Sequence, residues 1–360
     1  MAEARRARLA FVGCGAHATA YLYPQIPLVP EIELVAVCDI VREKAERNAR
    51  SFGASRVYTD MEEMLTREEL DGVFVVGPAP QQYALAPAAL RRALPVFVEK
   101  PPANRSEEAH ELATLAESCG TWGQVGFMKP FADVYVIARE IVGRPEFGPV
   151  HLVRCKFGQG GYPRIWGIDS AERAMLIGQC VHLFDLVRRF GGDVAAVQAM
   201  FRRVTETNFA YAVNLEFRSG ALGQLDLNSL NVRAPFRDII EVLEIVGLET
   251  HVTCEDMLRV RYQPREDWTS ATPHAGRYEQ VLDPSWTGIG HSHRTFGYTG
   301  EVRHFARRCL GLAAGGPDLW DGYEALRLAE AVYEAAHGGG TVRIPPRARF
   351  RGEATPGAGA

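Results

Sequence analysis

Leu9-Ala10-Phe11-Val12-Gly13-Cys14-Gly15-Ala16-His17-Ala18 is a strand's length of apolar residues running straight into a glycine turn. A helix is predicted to begin near Ala16 and to end at Pro24 and Pro27. The turn has the spacing G-x-G-x-x-[G/A], which carries information when a strand precedes it and a helix follows. Gly13 allows the tight turn, Gly15 lets a pyrophosphate approach the backbone, and Ala18 lets helix and strand pack closely. Ala16 and His17 open the helix, whose unpaired N–H groups and positive end suit phosphates. A second strand, Ile32 to Cys38, stops at Asp39, where a carboxylate accepts hydrogen bonds from ribose hydroxyls and repels a 2′-phosphate. NAD is therefore favoured over NADP, although Arg42 nearby keeps a phosphate contact open.

Outward from this turn, helix and strand alternate. A helix is predicted over 41–52 with Gly53 as its left-handed cap. Strands follow at Gly72–Val76, Pro95–Val98 and Gln124–Phe127. Helices are expected at 81–93 and, capped by Ser106, up to about Cys119. Continuous apolar strands separated by helices mean a parallel sheet covered on both faces. Beyond residue 150 the pattern changes. A strand (150–157), a glycine-rich loop and a long helix (174–190) lead into strands with little helix between them. Tyr211, Val213, Leu215 and Phe217 alternate with Ala212, Asn214, Glu216 and Arg218, the period of a half-buried antiparallel strand. Further strands are read at 222–227, 239–246 and 257–262, a loop at 263–298, and helices at 300–310 and 318–336.

The fold class is thus α/β: a Rossmann dinucleotide-binding domain (1–125), then an α+β domain with a large, mostly antiparallel open sheet (126–345). A tail rich in Pro, Gly and Arg (346–360) is expected to be disordered.

The 360 residues are 47% hydrophobic and 23% charged with a net charge of −4, an ordinary globular balance. No basic domain marks the chain for nucleic acid, and no apolar run approaches the roughly 18 residues of a membrane span. Seven scattered cysteines without a Cys-x-x-Cys read as buried thiols in a reducing compartment, so a cytoplasmic location is expected. His291 and His293 form an isolated H-x-H with no third ligand in view, and no metal is expected.

Two residues carry candidate chemistry. Lys100, in Glu99-Lys100-Pro101-Pro102, stands at the carboxyl end of a strand, where ligands of open α/β sheets bind. An ammonium there holds a hydroxyl and stabilises a developing alkoxide. Position alone fits a surface lysine beside a proline kink equally well. His182 shares a helix face with Gly178 and Asp185, and its imidazole suits a proton acceptor at neutral pH. From these residues alone, a core histidine satisfied by Asp185 is the simpler reading.

Together these features resemble the glucose–fructose oxidoreductase, inositol dehydrogenase and rhizopine-catabolism (Gfo/Idh/MocA) family over nearly the whole chain. The resemblance rests on Gly13–Ala18, on Val75-Val76-Gly77-Pro78 as a variant Thr-Pro loop, and on Glu99-Lys100-Pro101. It continues through Gly126-Phe127-Met128-Lys129, Val181-His182-Leu183-Phe184-Asp185-Leu186 and Asp321-Gly322. It implies that Lys100 orients a reacting hydroxyl and that His182 exchanges its proton. It further implies that Gly77, Pro78, Gln82 and Glu99 belong to the cofactor site, and that the open sheet face packs in a homodimer or homotetramer. Lys129, Asp185 and the loop residues Tyr162, Arg164 and Trp166 are expected to meet a sugar-like or polyol-like substrate. The chain departs from the pattern in having Gly178 where the family often has an acid, Gln82 where it has a histidine, and Pro130 for an arginine. Asp169 is a candidate to supply the missing carboxyl. The expected function is NAD-dependent oxidation of a secondary alcohol of a sugar, sugar derivative or cyclitol. An NADPH-dependent keto-sugar reductase, a redox-neutral NAD-dependent glycosidase and a non-catalytic NAD-binding regulator stand as alternatives.

Overall fold

A computed structural model describes residues 5–231, 240–265, 278–281 and 295–347. Six parallel strands form the first sheet: β1 (Ala7–Val12), β2 (Ile32–Cys38), β3 (Arg56–Tyr58), β4 (Gly72–Val75), β5 (Val96–Glu99) and β6 (Gly123–Gly126), in the order β3-β2-β1-β4-β5-β6. This is the dinucleotide-binding order, with its crevice at the carboxyl ends of the strands. Helices α1 (Arg42–Phe52), α2 (Met61–Arg67), α3 (Ala79–Leu90) and α4 (Ser106–Ser118) make the crossovers. Gly53 takes φ +82° and caps α1 as the sequence predicts. Ser106 does not cap α4. The cap position is Arg105, and the Ser106 hydroxyl donates to Glu330 instead. After β1 the chain enters a helical turn as expected, but as a wide π-type turn (Ala18–Leu22) running into a 3-10 segment (Tyr23–Leu28).

Helix α5 (Asp133–Val142) leads to the second sheet. Its strands are β7 (Leu152–Gly158), β8 (Val194–Arg203), β9 (Phe209–Phe217), β10 (Leu222–Asn228), β11 (Ile240–Val246), β12 (His251–Glu255), β13 (Arg259–Gln263), β14 (Tyr278–Val281) and β15 (Thr341–Arg343). Their order is β14-β13-β12-β11-β7-β10-β9-β8-β15, antiparallel except for β7 beside β10. In β9, Tyr211, Val213, Leu215 and Phe217 are buried while Ala212, Asn214 and Glu216 face out, so the period-2 pattern reports one covered face. Five of the seven cysteines are buried and all seven are free thiols.

The predicted long helix is three pieces: α6 (Ala171–Met175), a π-type turn (Leu176–Cys180) and α7 (Val181–Gly191). It starts earlier than the apolar pattern indicates because Ser170 caps it, accepting from the Arg173 N–H. Helices α8 (Tyr298–Cys309) and α9 (Leu319–Gly338) close the fold. Helix α8 returns to the first sheet, where Phe305 packs on Phe74 and Phe97 at ring separations of 4.9 and 5.8 Å. The sequence places α8 with the second domain, yet its apolar face completes the core of the first. The expected loop at 263–298 contains β14. Most of that loop, with His291 and His293, lies outside the described residues, as does the tail beyond 347. No described helix is long and apolar enough to cross a membrane, and no described cluster of His, Cys, Asp or Glu could hold a metal ion.

Candidate active site

Gly13, Asp39, Val76 and Lys100 all stand at the carboxyl ends of their strands, on one edge of the first sheet. Gly13 adopts φ +102°, and a Cβ there would lie 1.9 Å from the Val76 carbonyl oxygen, so only glycine fits. At Gly15 a Cβ would meet nothing within 4 Å. Gly15, Ala16 and His17 are exposed at the mouth of the helical turn, leaving backbone N–H groups open to an anion. Asp39 ties this loop down. Its Oδ2 accepts from the Cys14 N–H at 2.7 Å and its Oδ1 from the Val41 N–H at 2.8 Å. Each oxygen keeps a lone pair for a ribose hydroxyl. Arg42 points to Glu46, 3.7 Å away. These features fit NAD: a glycine cradle a side chain would fill, an open helix start, and an acid beyond the second strand.

Gly77 and Pro78 bridge β4 and α3, with Pro78 capping the helix. Gln82, expected at the cofactor, is instead 1% exposed, and its amide donates to the carbonyls of Glu99 (2.9 Å) and Pro101 (3.1 Å). It thereby holds the strand end that carries Lys100. Glu99 is also buried. It faces His17 Nε2 at 3.2 Å and accepts from the Lys100 N–H at 2.9 Å.

Lys100 reaches across to the second half of the molecule, its Nζ donating to the Gly178 carbonyl at 3.2 Å. That carbonyl lies in the π-type turn before His182. Such turns widen a helix and free backbone carbonyls, and they recur at functional sites. His182 is 5% exposed, stands edge-on to Phe127 at 6.0 Å, and has a buried Nδ1 with no partner among the described residues. Burial, then the positive charges of Lys100 and Lys129, hold its pKa well below the usual imidazole value. The ring is therefore neutral at pH 7 and ready to accept a proton. Burial also lowers the Lys100 pKa, opposed by Glu99 and Glu301.

The expected substrate contacts divide. Tyr162 and Trp166 roof the site: a Cβ on Gly178 would lie 2.5 Å from the Tyr162 hydroxyl and 3.5 Å from the Trp166 ring. Trp166 holds φ +53°, rare for so bulky a residue, and its carbonyl accepts from Asn104 Nδ2 at 3.0 Å. The absent side chain at Gly178 thus makes room for the loop's aromatic groups. Lys129 lies beneath the site, but its ammonium is buried and paired with Glu241, which also accepts from Tyr135. Asp185 was expected to face His182 or substrate. It is 0% exposed and forms a two-pronged pair with Arg189, one turn further along α7, at 2.8 and 2.9 Å. Arg164 turns outward to Glu206, with both side chains exposed. Asp169 is 72% exposed beside Arg173 and does not replace the acid missing at Gly178. Sequence reading missed Asn104 and Glu301. Neither lies in a motif, and only tertiary packing brings them to the site.

Two family models match the chain: the oxidoreductase family with NAD-binding Rossmann fold over residues 7–127, and the GFO/IDH/MocA C-terminal domain over 135–252. An inositol 2-dehydrogenase of Arthrobacter sp. (strain FB24) is 25% identical over 354 residues, covering 95% of this chain and 97% of its own. A dehydrogenase structure from Chromobacterium violaceum superposes with a TM-score of 0.82 at 25% identity, covering 93% of this chain and 96% of that one. Levoglucosan dehydrogenase, solved with NADH and levoglucosan, superposes with a TM-score of 0.78 at 17% identity, covering 95% and 100%. The two matched models span most of the chain in the order its two sheets appear, and the protein belongs to the Gfo/Idh/MocA family of NAD-binding oxidoreductases.

Proposed function

We propose that the protein oxidises a secondary alcohol of a sugar, sugar derivative or cyclitol. Lys100 holds the reacting hydroxyl and His182 takes its proton. The observation that carries this reading is the Lys100 ammonium at 3.2 Å from the Gly178 carbonyl, which sets a cation from the first sheet beside the helix that bears a neutral imidazole. Gly13, Gly15, Ala16, His17, Ala18 and Asp39 would hold the dinucleotide, with Gly77 and Pro78 at its nicotinamide end. When bound, NAD supplies the hydride acceptor. Lys100 donates a hydrogen bond to the substrate oxygen and stabilises its developing negative charge as the proton leaves. His182 accepts that proton. Tyr162 and Trp166, packed beside Gly178, offer rings suited to a sugar, and the inositol and levoglucosan enzymes among the relatives support a polyhydroxylated ring as substrate. The test is the near-ultraviolet absorbance of reduced nicotinamide when protein and NAD meet a panel of inositols, aldoses and anhydrosugars. A rise with at least one member is expected. No rise with any of them, while calorimetry shows NAD binding, overturns the proposal.

The same reading includes self-association. Among the described residues, one face of the second sheet is a concavity of about 1440 Å³ whose lining includes Arg154, Lys156, Asn214, Asp226 and Glu244, a mixture of charges that a second copy can complement. Light scattering is expected to report a dimer or tetramer, and a monomer at micromolar concentration refutes this.

A further inference from the structure

Two segments meet across the site: the chain leaving β5 (100–105) and the loop between β7 and α6 (159–169). The first is held firmly. The Gln82 amide donates to the Glu99 and Pro101 carbonyls, and the Asn104 N–H donates to Glu108 at 3.2 Å. Pro102 is pressed onto α9, since a Cβ on Gly322 would lie 2.8 Å from its ring. The second is thinly held. It contains Gly160, Gly161 and Gly167. The Tyr162 N–H donates to the Thr207 carbonyl at 2.9 Å, and Ser170 caps α6. Between those two points, among the described residues, the bonds reaching the loop from other elements are the exposed Arg164–Glu206 pair and one from Asn104.

The Asn104 bond crosses 62 residues, Nδ2 donating to the Trp166 carbonyl at 3.0 Å. A carbonyl oxygen can take only the donor end of the amide, so the side chain has one orientation here. That orientation leaves Oδ1 sealed from water with no partner among the described residues. A buried acceptor left empty costs stability, so packing alone does not explain an asparagine at this place. Its partner is also under strain. Trp166 holds φ +53° and Gly167 follows at +76°. A bulky residue keeps a left-handed backbone only where its surroundings over-determine it. The Lys100 ammonium, four residues before Asn104, bonds the carbonyl of Gly178, and the Trp166 ring lies 3.5 Å from where a Gly178 Cβ would be. One firm segment thus sets both the Lys100 ammonium and the Trp166 loop against the same turn. We propose that Asn104 is a positioning residue whose amide latches the Trp166 loop, so that the loop's rings and the Lys100 ammonium meet the substrate in a fixed geometry. The loop's contact with substrate rests on the proposed function; the latch itself does not.

Asn104→Ala removes the donor and the empty acceptor together. Asn104→Asp keeps the size of the side chain but sets a carboxylate against a carbonyl oxygen. The loop carries its own reporter, because trypsin cuts after Arg164 and cleavage of a transiently opened segment tracks the population of the open form. The experiment measures that cut by peptide mass spectrometry, without substrate, in the wild type and both variants. The rate is expected to rise about three- to tenfold in Asn104→Ala, the worth of one neutral hydrogen bond, and further in Asn104→Asp. KM for the polyol should rise by a similar factor while kcat falls less than about threefold and NAD affinity stays within about twofold. The thermal midpoint of Asn104→Ala should not fall, since the variant also loses a buried unpaired oxygen. A merely structural contact would lower that midpoint and leave KM in place. A cleavage rate that stays at the wild-type level in both variants overturns the proposal, as does a rate that rises while KM is unchanged. Should the wild type oxidise no polyol, cleavage alone decides the latch, and that failure belongs to the proposed function.

Discussion

The turn at Gly13–Ala18 and the helix that carries His182 are both built around a glycine, for opposite reasons. Gly13 is required by its own backbone: φ is +102° and the Val76 carbonyl lies where a Cβ would go. Gly178 has helical surroundings and is required by distant side chains, because Tyr162 and Ile165 fill the space above it, 2.5 and 2.7 Å from a Cβ. The first site is made by one continuous stretch of chain. The second is assembled from β5, the 158–168 loop, the π-type turn and α7.

The largest expected effect breaks the second region and spares the first. Lys100→Met or His182→Ala should each reduce turnover about 10²–10⁴-fold while NAD affinity stays within about twofold, by steady-state kinetics and calorimetry. Parallel loss of NAD binding would merge the two regions and contradict the division. The next effect separates the glycines within the first region. Gly13→Ala should cost about 1–3 kcal/mol of stability in denaturant titration, because residue and carbonyl cannot both keep their places. Gly15→Ala should melt like the wild type yet bind NAD at least about tenfold more weakly, since its Cβ meets only the space reserved for the cofactor. Equal stability losses in the two variants would refute that distinction.

Gly178→Ala probes the assembled region more gently. The atoms it meets are the ends of side chains, so the loop should give way at a cost of about 1–3 kcal/mol or less, with KM for the polyol rising more than kcat falls. An unchanged KM would detach the loop from the substrate. The depressed His182 pKa predicts an acidic limb of kcat/KM below the ordinary imidazole pKa near ~6.5. The unfolded chain binds the extra proton that the buried ring refuses, so His182 contributes stability above that pH and loses it as pH falls. An acidic limb at or above ~6.5, unchanged in His182→Gln, would show that the ring is not buried and neutral in solution. The smallest effect is Arg164→Ala. Its exposed pair with Glu206 should be worth less than about 1 kcal/mol, with no change in KM.

The comparison also explains what the sequence makes legible. The alternation of apolar strands and helices, the glycine turn and Asp39 are local patterns, and each corresponds to an element in the structure. Lys100 and His182 stand out because each lies in a short recognisable string, though nothing in those strings shows that Lys100 Nζ meets the turn before His182. Asp185 misleads because the sequence spacing from His182 does not show that Arg189, four residues further along α7, claims both of its carboxylate oxygens. Ser106 misleads because a cap and a bond to Glu330 across 224 residues look the same in sequence. Helix α8 reads as part of the second domain because its partners on the first sheet are more than 200 residues away in the chain. Glu301 has no local signature at all, since only burial distinguishes it from any other helical glutamate.

The central claim is that a lysine from the first sheet and a histidine from the second half act on one hydroxyl. A double-mutant cycle tests it most directly: kcat/KM for the wild type, Lys100→Met, His182→Ala and the double variant on whichever polyol the panel identifies. Groups that serve one transition state as a unit lose their effect together. The account predicts a double variant no more than about tenfold slower than the worse single variant. Losses that multiply in full would show the two residues acting independently and would contradict it.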